Sequence, residues 1–391
     1  MSSKSARRLI AAVLLPLALG LTGAAKEDNL PKPGSGILFW TPAEQAVGYR
    51  RIEDVYKTSV IKRGKHVHPL PRSTAPVPDI RFRFAGVDYT TDTYMQAYRV
   101  SGILIIKDGK IVLERYGLGR SERDRWTSFS VAKSVTSTLA GAAIKDGFIK
   151  SIDDPVTRYI PELKGTSYEG VTVKHLLTMS SGVKWNEDYA DAKSDVAAYS
   201  AEPIVAGKDP VVTYMGRLPR EAPPGTKFLY KTGETDLAGI LVARATHKSL
   251  AQYTSEKIWK PYGMERDALW MLDSIGHERG GCCMSITLRD YGRLGQFMLE
   301  GGKGVLPADW VGEATRKQID TAPGGATGGY GYFWWMAPDG YDARGIFGQM
   351  IHVNPSQKLV IVTNSAWTRA TGADLSAARV AFLNAATKAV Q

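Results

Sequence analysis

The sequence predicts an α+β protein organised around a largely antiparallel sheet, and three observations carry that prediction. Strand-like segments stand at both ends of the main domain, helix-like segments fill its middle, and the chain closes on an alanine-rich helix. Distant strands with helices inserted between them imply a sheet completed by segments far apart in the chain. With 391 residues, 43% hydrophobic and 23% charged, the chain can build a sizeable core.

Taken in order, residues 1–25 differ from the rest. Lys4, Arg7 and Arg8 precede an apolar run from Leu9 to Leu21, and Thr22-Gly23-Ala24-Ala25 follow. That is the layout of a secretory signal peptide, cut near Ala24 or Ala25, and it predicts a periplasmic or secreted protein. The run is short for a membrane span, and no later stretch is long enough, so no stable membrane insertion is expected after its removal. Residues 26–85 are rich in Pro, Gly and charge and lack sustained periodicity; they read as an N-terminal extension wrapping the main domain. His66-Val67-His68 falls there without the further His and Asp that a binuclear zinc site needs, so a loop pair is expected and no metal.

The main domain, residues 86–391, opens with a hairpin. Val100–Ile106 and Ile111–Tyr116 are β-rich runs around the Asp108-Gly109 turn. Ser130 then starts a helix reaching about Ile144, because Val131, Val135, Leu139 and Ala143 recur at helical spacing before Asp146-Gly147. Residues 151–280 read as a helical part. Residues 86–150 and 281–391 form the α/β part, with strands expected at 330–336, 345–353 and 358–364 and a last helix over 374–390.

Charge and cysteine usage narrow the function classes. The net charge is +11; without the three basic residues of the leader, 47 basic stand against 39 acidic residues, an excess of eight. That excess gathers in no stripe or nucleic-acid-binding module, so no nucleic-acid partner is expected. Cys282 and Cys283 are the only cysteines. Neighbouring cysteines rarely pair, because disulfide geometry strains so small a ring, and buried unpaired thiols are the expectation.

The chemistry lies in Ser130-Val131-Ala132-Lys133. A serine hydroxyl needs a neighbouring base, and residues i and i+3 share a helix face, so the Lys133 amine can reach the Ser130 oxygen. Ser59/Lys62 and Ser181/Lys184 have the same spacing, but Ser130 alone opens an apolar helix just after a hairpin. The loop Pro223–Gly233 places Tyr230 before the apolar segment 237–245, where a phenol could share the proton with Lys133; a packing tyrosine is the alternative among the 18 here.

Together these segments resemble the serine β-lactamase-type hydrolases over about residues 85–390. The closest likeness is to class C β-lactamases, penicillin-binding-protein-like esterases, D-aminopeptidases and 6-aminohexanoate-dimer hydrolases. The supporting stretches are Ser151-Ile152-Asp153-Asp154-Pro155, then His175-Leu176-Leu177-Thr178-Met179-Ser180-Ser181-Gly182, then Pro261-Tyr262-Gly263-Met264, and Thr287-Leu288-Arg289-Asp290 with Arg293. The resemblance implies the β-lactamase/transpeptidase-like fold, a central antiparallel sheet flanked by helices plus a helical subdomain. It also implies a Ser130, Lys133 and Tyr230 catalytic set with no cofactor, and a structural role for His175. No G-x-S-x-G elbow offers that histidine a serine partner.

Two places depart from the class C pattern. Ile346-Phe347-Gly348-Gln349 stands where class C enzymes carry Lys-Thr-Gly, and Thr232 stands in place of an Asn. On this reading the backbone amides of Ser130 and Gln349 form the oxyanion hole. Ile346, Phe347, Gly348 and Tyr189 are candidate substrate contacts, and Arg344 could replace the missing lysine charge. The departures favour an esterase or amidase acting on a small-molecule ester or amide. A true β-lactamase or D-alanyl peptidase, and a non-catalytic penicillin-sensor-like protein, are the alternatives; the altered Lys-Thr-Gly stands against the first and the intact Ser/Lys/Tyr set against the second.

Overall fold

The computed structural model describes residues 29–75, 77, 79–322 and 328–391. The expected signal peptide lies outside them. Among the described residues an antiparallel sheet of eight strands forms the centre. Its order is Lys110–Tyr116, Val100–Lys107, Leu359–Ser365, Gln349–Asn354, Gly340–Gly345, Trp335–Ala337, Gly329–Tyr330 and Ile319–Asp320. The first hairpin pairs with strands more than 230 residues later, Ile105 facing Ile361 and Leu104 facing Val362. This is the α+β architecture expected, with the sheet completed from both chain ends.

Side-chain alternation explains why the sheet is covered on both faces. Leu104, Ile106, Val360 and Val362 join the large core on one face. Ile103, Ile105, Leu113 and Ile361 point the other way, onto Phe382 and Leu383 of the last helix, Ala373–Ala389. Buried on both sides, Leu359–Ser365 reads as a continuous apolar and small-polar run.

Two expected strands are each split by a tight turn. Residues 330–336 form Gly329–Tyr330 and Trp335–Ala337, with Phe333 at φ +58° between them. Residues 345–353 divide into Gly340–Gly345 and Gln349–Asn354 around Ile346–Gly348, where Phe347 takes φ +57° and Gly348 φ +89°. A non-glycine residue in the left-handed region is rare, so hydrophobicity alone reads the turn as strand.

The helix expected after Ser130 runs Val131–Lys145, and every residue from Val131 to Ala143 is buried. Its Ala, Ser, Thr and Gly side chains let neighbours come close: a Cβ on Gly141 would lie 2.4 Å from the Trp310 ring. It packs against the helix Thr232–Thr246, which belongs to the mainly helical stretch between residues 151 and 280.

The N-terminal extension carries regular elements that its composition hides. Thr41 caps the helix Pro42–Gly48 in a capping box with Glu44. Strand Thr58–Ile61 pairs with Ala268–Met271 in a second sheet completed by Met284–Thr287 and Arg125–Thr127. That second sheet leads the chain directly into the nucleophile turn.

Candidate active site

Ser130 caps its helix at φ −69°, and Phe129 before it is held at φ +42°. A strained residue beside a reactive one persists only where packing fixes it. Here Phe129 lies 5.1 Å from Tyr49 and 5.2 Å from Phe347, ring centre to ring centre. Ser130 itself is buried except for one edge on two cavities of about 610 and 310 Å³.

One helical turn on, Lys133 is 1% exposed. Its Nζ donates to Thr232 Oγ1 at 3.0 Å and to the Gly281 carbonyl at 2.9 Å, and lies 5.3 Å from the centre of the Tyr230 ring. Burial draws its pKa down from 10.5 to about 8; the Glu187 and Asp236 carboxylates pull the other way, and the Arg279 guanidinium adds to the fall. Tyr230 borders the second cavity beside Ser130, and burial, reinforced by the Glu187 charge, pushes its phenol well up. Trp335 stacks on Tyr230 at 5.6 Å and keeps the ring in place. The structure therefore brings together Ser130, Lys133 and Tyr230, the three residues singled out in the sequence, with a deprotonatable amine and a phenol that holds its proton.

Glu187 was not legible as a site residue. Its carboxylate accepts hydrogen bonds from the Thr232 amide at 2.9 Å, the Tyr189 hydroxyl at 2.7 Å, the Thr232 hydroxyl and the Trp185 indole. Thr232 thus receives the Lys133 proton donor while giving its own proton to Glu187. Behind Gly281, Asp236 accepts the Gly281 amide at 2.7 Å and the Tyr199 hydroxyl at 3.0 Å. The alternation Trp185, Glu187, Tyr189 is the one sequence signal for the first network; Gly281 left none.

Tyr189 borders both cavities beside Ser130, as does Ile346. The other residues of the expected turn do not. Gln349 is fully buried, opposite Gly345 in the strand ladder, and neither cavity reaches it. Its side-chain amide donates to Ser365 O at 2.8 Å, and its oxygen accepts from Trp126 Nε1 at 3.1 Å. The Gln349 side chain thus fastens strands, and the backbone that borders the cavities lies three residues earlier, at Ile346. Phe347 packs between Tyr49 and Phe129, with its amide bonded to Ala370 O at 2.9 Å. Gly348 is needed for another reason than a substrate, since a Cβ there would meet the Trp367 ring at 2.6 Å and Ser365 at 2.8 Å. Gly345 is the glycine at the nucleophile, where a Cβ would lie 2.5 Å from Ser128 O and 3.1 Å from Ser130 N.

Arg344 borders the second cavity, bonded to Asp342 through Nε at 2.8 Å and 5.6 Å over the Trp335 ring. Arg379 of the last helix borders the same cavity. His175 sits elsewhere: its Nδ1 accepts the Thr172 amide and closes a capping box, the structural role the resemblance implied. His68 stacks on Tyr262 at 4.4 Å. Of the other S-x-x-K pairs, Ser59 donates to Glu278, Lys62 pairs with Asp267, and Lys184 is exposed.

The expectation of unpaired cysteines is corrected too. Cys282 and Cys283 are joined, with Cα atoms 3.7 Å apart. Cys283 takes φ +70°, and the loop is pinned by Cys282 N to Arg279 O, Cys283 N to Phe129 O, and Trp270 Nε1 to Cys282 O. A loop held from three sides imposes a geometry that a free dipeptide would not take.

A buried serine–lysine pair on one helix, a phenol opposite, and the end of an interior strand alongside define a serine hydrolase-type site on an antiparallel α+β core. The Beta-lactamase family profile matches residues 87–386, and the chain belongs to that family. The chain is 30% identical over 343 residues to the 6-aminohexanoate-dimer hydrolase of Paenarthrobacter ureafaciens, covering 82% of this chain and 84% of the relative. In solved structures its fold is similar to a candidate 6-aminohexanoate-dimer hydrolase from Bacillus anthracis, with a TM-score of 0.78 at 23% identity, covering 90% of this chain and 97% of that one. It is similar also to a family VIII carboxylesterase, with a TM-score of 0.59 at 18% identity, covering 76% and 96%.

Proposed function

We propose that this chain is an exported serine hydrolase that cleaves carboxylic esters or amides through an acyl-enzyme on Ser130. The observation that carries the reading is the buried Lys133 amine, drawn down to about 8, one helical turn from a serine that borders the same cavity as Tyr230. Neutral Lys133 takes the Ser130 proton as Oγ bonds to the substrate carbonyl carbon. The oxyanion rests on the Ser130 amide and, in place of Gln349, the Ile346 amide at the cavity edge. Tyr230, whose phenol keeps its proton, donates it to the leaving oxygen or nitrogen as the carbonyl–heteroatom bond breaks. The Tyr230 phenolate then takes a proton from water as the water oxygen bonds to the acyl carbon, the bond from that carbon to Ser130 Oγ breaks, Lys133 returns its proton to Oγ, and the acid is released.

Arg344 and Arg379 supply positive charge to the cavity that Tyr230 borders, where class C enzymes use the missing lysine. The relative's name puts a linear amide, the 6-aminohexanoate dimer, on the substrate panel beside p-nitrophenyl esters and nitrocefin. Export rests on the sequence of residues 1–25, and a periplasmic or culture-fluid location of the tagged protein, beginning near Ala25 or Lys26, is the result expected. Mass spectrometry after fluorophosphonate treatment should show one adduct on Ser130 that Ser130→Ala abolishes. Absence of an adduct with both fluorophosphonate and β-lactam would leave the non-catalytic sensor reading in its place.

A further inference from the structure

The N-terminal segment builds part of the active site. Ile37, Leu38, Phe39 and Val55 face Ser130 across the 610 Å³ cavity, with Val196 and Met271 on the other walls. The segment is fastened at several points. Tyr56 donates its hydroxyl to Ser35 O at 2.6 Å and accepts the Ile37 amide at 3.1 Å, while Trp40 Nε1 bonds Ser35 Oγ at 2.9 Å. Rings continue the connection: Trp40 meets Tyr49 at 5.7 Å, and Tyr49 meets Phe129 and Phe347 at 5.1 and 5.9 Å, beside Ser130 and Ile346.

Tyr230 decides which half of a substrate lies there. It borders the second cavity and not the first. The leaving group must take its proton from Tyr230, so it departs through the second cavity and the acyl half stays in the first. Charged groups on the first cavity are engaged or peripheral. Arg279 pairs with Asp236 and bonds Ser200 Oγ at 2.9 Å, Asp273 accepts the Ile275 and His277 amides, and Lys57 is exposed. The remaining wall is mainly apolar, with Tyr189, Ser200, Thr232 and Ser274 interspersed, and the volume falls within the range of about 300–1,000 Å³ usual for small-molecule sites.

We infer that residues 36–39 and 55 form one wall of an acyl-chain subsite, so that the preferred acyl group is a linear, uncharged hydrocarbon chain. This rests on the Ser130 acyl-enzyme reading. In the p-nitrophenyl series from acetate to octanoate, wild-type kcat/KM should climb at least tenfold, since each methylene fully buried is worth about a fourfold gain. Ile37→Trp fills the cavity from the N-terminal side and Val196→Trp from the helical side; each should lower the octanoate-to-acetate ratio at least tenfold, with a cooperative thermal transition retained. A wild-type profile flat from acetate to octanoate, with a Ser130 fluorophosphonate adduct, overturns the acyl-chain inference alone. A rising profile that Ile37→Trp leaves unaltered overturns the N-terminal wall. No ester turnover and no Ser130 adduct overturns the hydrolase reading and the inference with it.

Discussion

Replacing Lys133 with Met should separate the stability of the site from its chemistry. Burial lowers the Lys133 pKa from 10.5 to about 8. At 1.36 kcal/mol per pKa unit, holding that ammonium in the folded protein below pH 8 costs about 3 kcal/mol. The unfolded chain binds this proton more tightly, so the wild type gains stability as pH climbs from 8 to 10.5, and below 8 the cost is constant. Met removes the charge. It also removes the hydrogen bonds to Thr232 Oγ1 and Gly281 O, and leaving those buried groups unsatisfied costs about 1–3 kcal/mol each at every pH. The two effects are separable because only the first depends on pH. Urea unfolding of both proteins at pH 7 and 10.5 should show the stability of Lys133→Met relative to wild type falling by about 3 kcal/mol over that span. Acylation of Ser130 should be lost at both. Parallel pH–stability curves for the two proteins would refute the argument, because they would mean that the amine titrates alike folded and unfolded.

The same amine sets the pH dependence of activity. Wild-type kcat/KM should rise about tenfold per pH unit to near pH 8 and then level, and Glu187→Gln, by removing a carboxylate that holds the proton on Lys133, should move that rising limb to lower pH; a limb that stays in place would detach Glu187 from the lysine. Gly345→Ala drives a Cβ into Ser128 O and Ser130 N, backbone atoms no rotamer can relieve, so fluorophosphonate labelling of Ser130 should slow by about 100-fold or more; labelling at the wild-type rate would remove Gly345 from the nucleophile's surroundings. His352, 3% exposed, has its pKa lowered by burial, but Asp339 and Asp342 outweigh that and raise it to about 9. Its stabilisation is complete below 6.5 and lost as pH rises through 9, about 3 kcal/mol in all, and His352→Gln should flatten that part of the urea-derived pH–stability curve.

Local spacing made part of this site readable. Ser130 and Lys133 are three residues apart on a helix, Val100–Tyr116 is a hairpin with its turn in plain view, and both needed only neighbouring residues to be seen. Lys133 meets Thr232 and Gly281 across 99 and 148 residues, and Glu187 meets Thr232 across 45. Nothing in the local pattern at 187 or 281 marks such contacts, because tertiary packing creates them. The placement of Gln349 was unreadable for a different reason. A strand over 345–353 runs straight through residues 346–349, whereas Phe347 in the left-handed region turns the chain between Ile346 and Gln349 and buries the glutamine among strand ends. The N-terminal extension was unreadable because its helix and strand are short, and its aromatic residues acquire their role only where Tyr49 reaches Phe129 and Phe347.

The departure from Lys-Thr-Gly also takes on a physical meaning in three dimensions. In the sequence it is a lost charge beside the nucleophile. In the structure Ile346 borders both cavities at that point, while Arg344 and Arg379 border the second cavity alone. Positive charge thus stands off the junction at Ser130: Arg344 and Arg379 border the side where Tyr230 and Glu187 stand, and Arg279 on the other side is paired with Asp236. An apolar residue at the junction suits a carbonyl flanked by a hydrocarbon chain on one side and a polar or anionic leaving group on the other. It fits poorly a compact bicyclic substrate that places its carboxylate close to the scissile bond. Changing Ile346 to Lys should therefore shift the ratio of nitrocefin to octanoate-ester turnover toward nitrocefin, because a buried cation at the junction helps an adjacent carboxylate and penalises an alkyl chain. An unchanged ratio in a protein that still labels at Ser130 would show that the charge at this position does not set the substrate class.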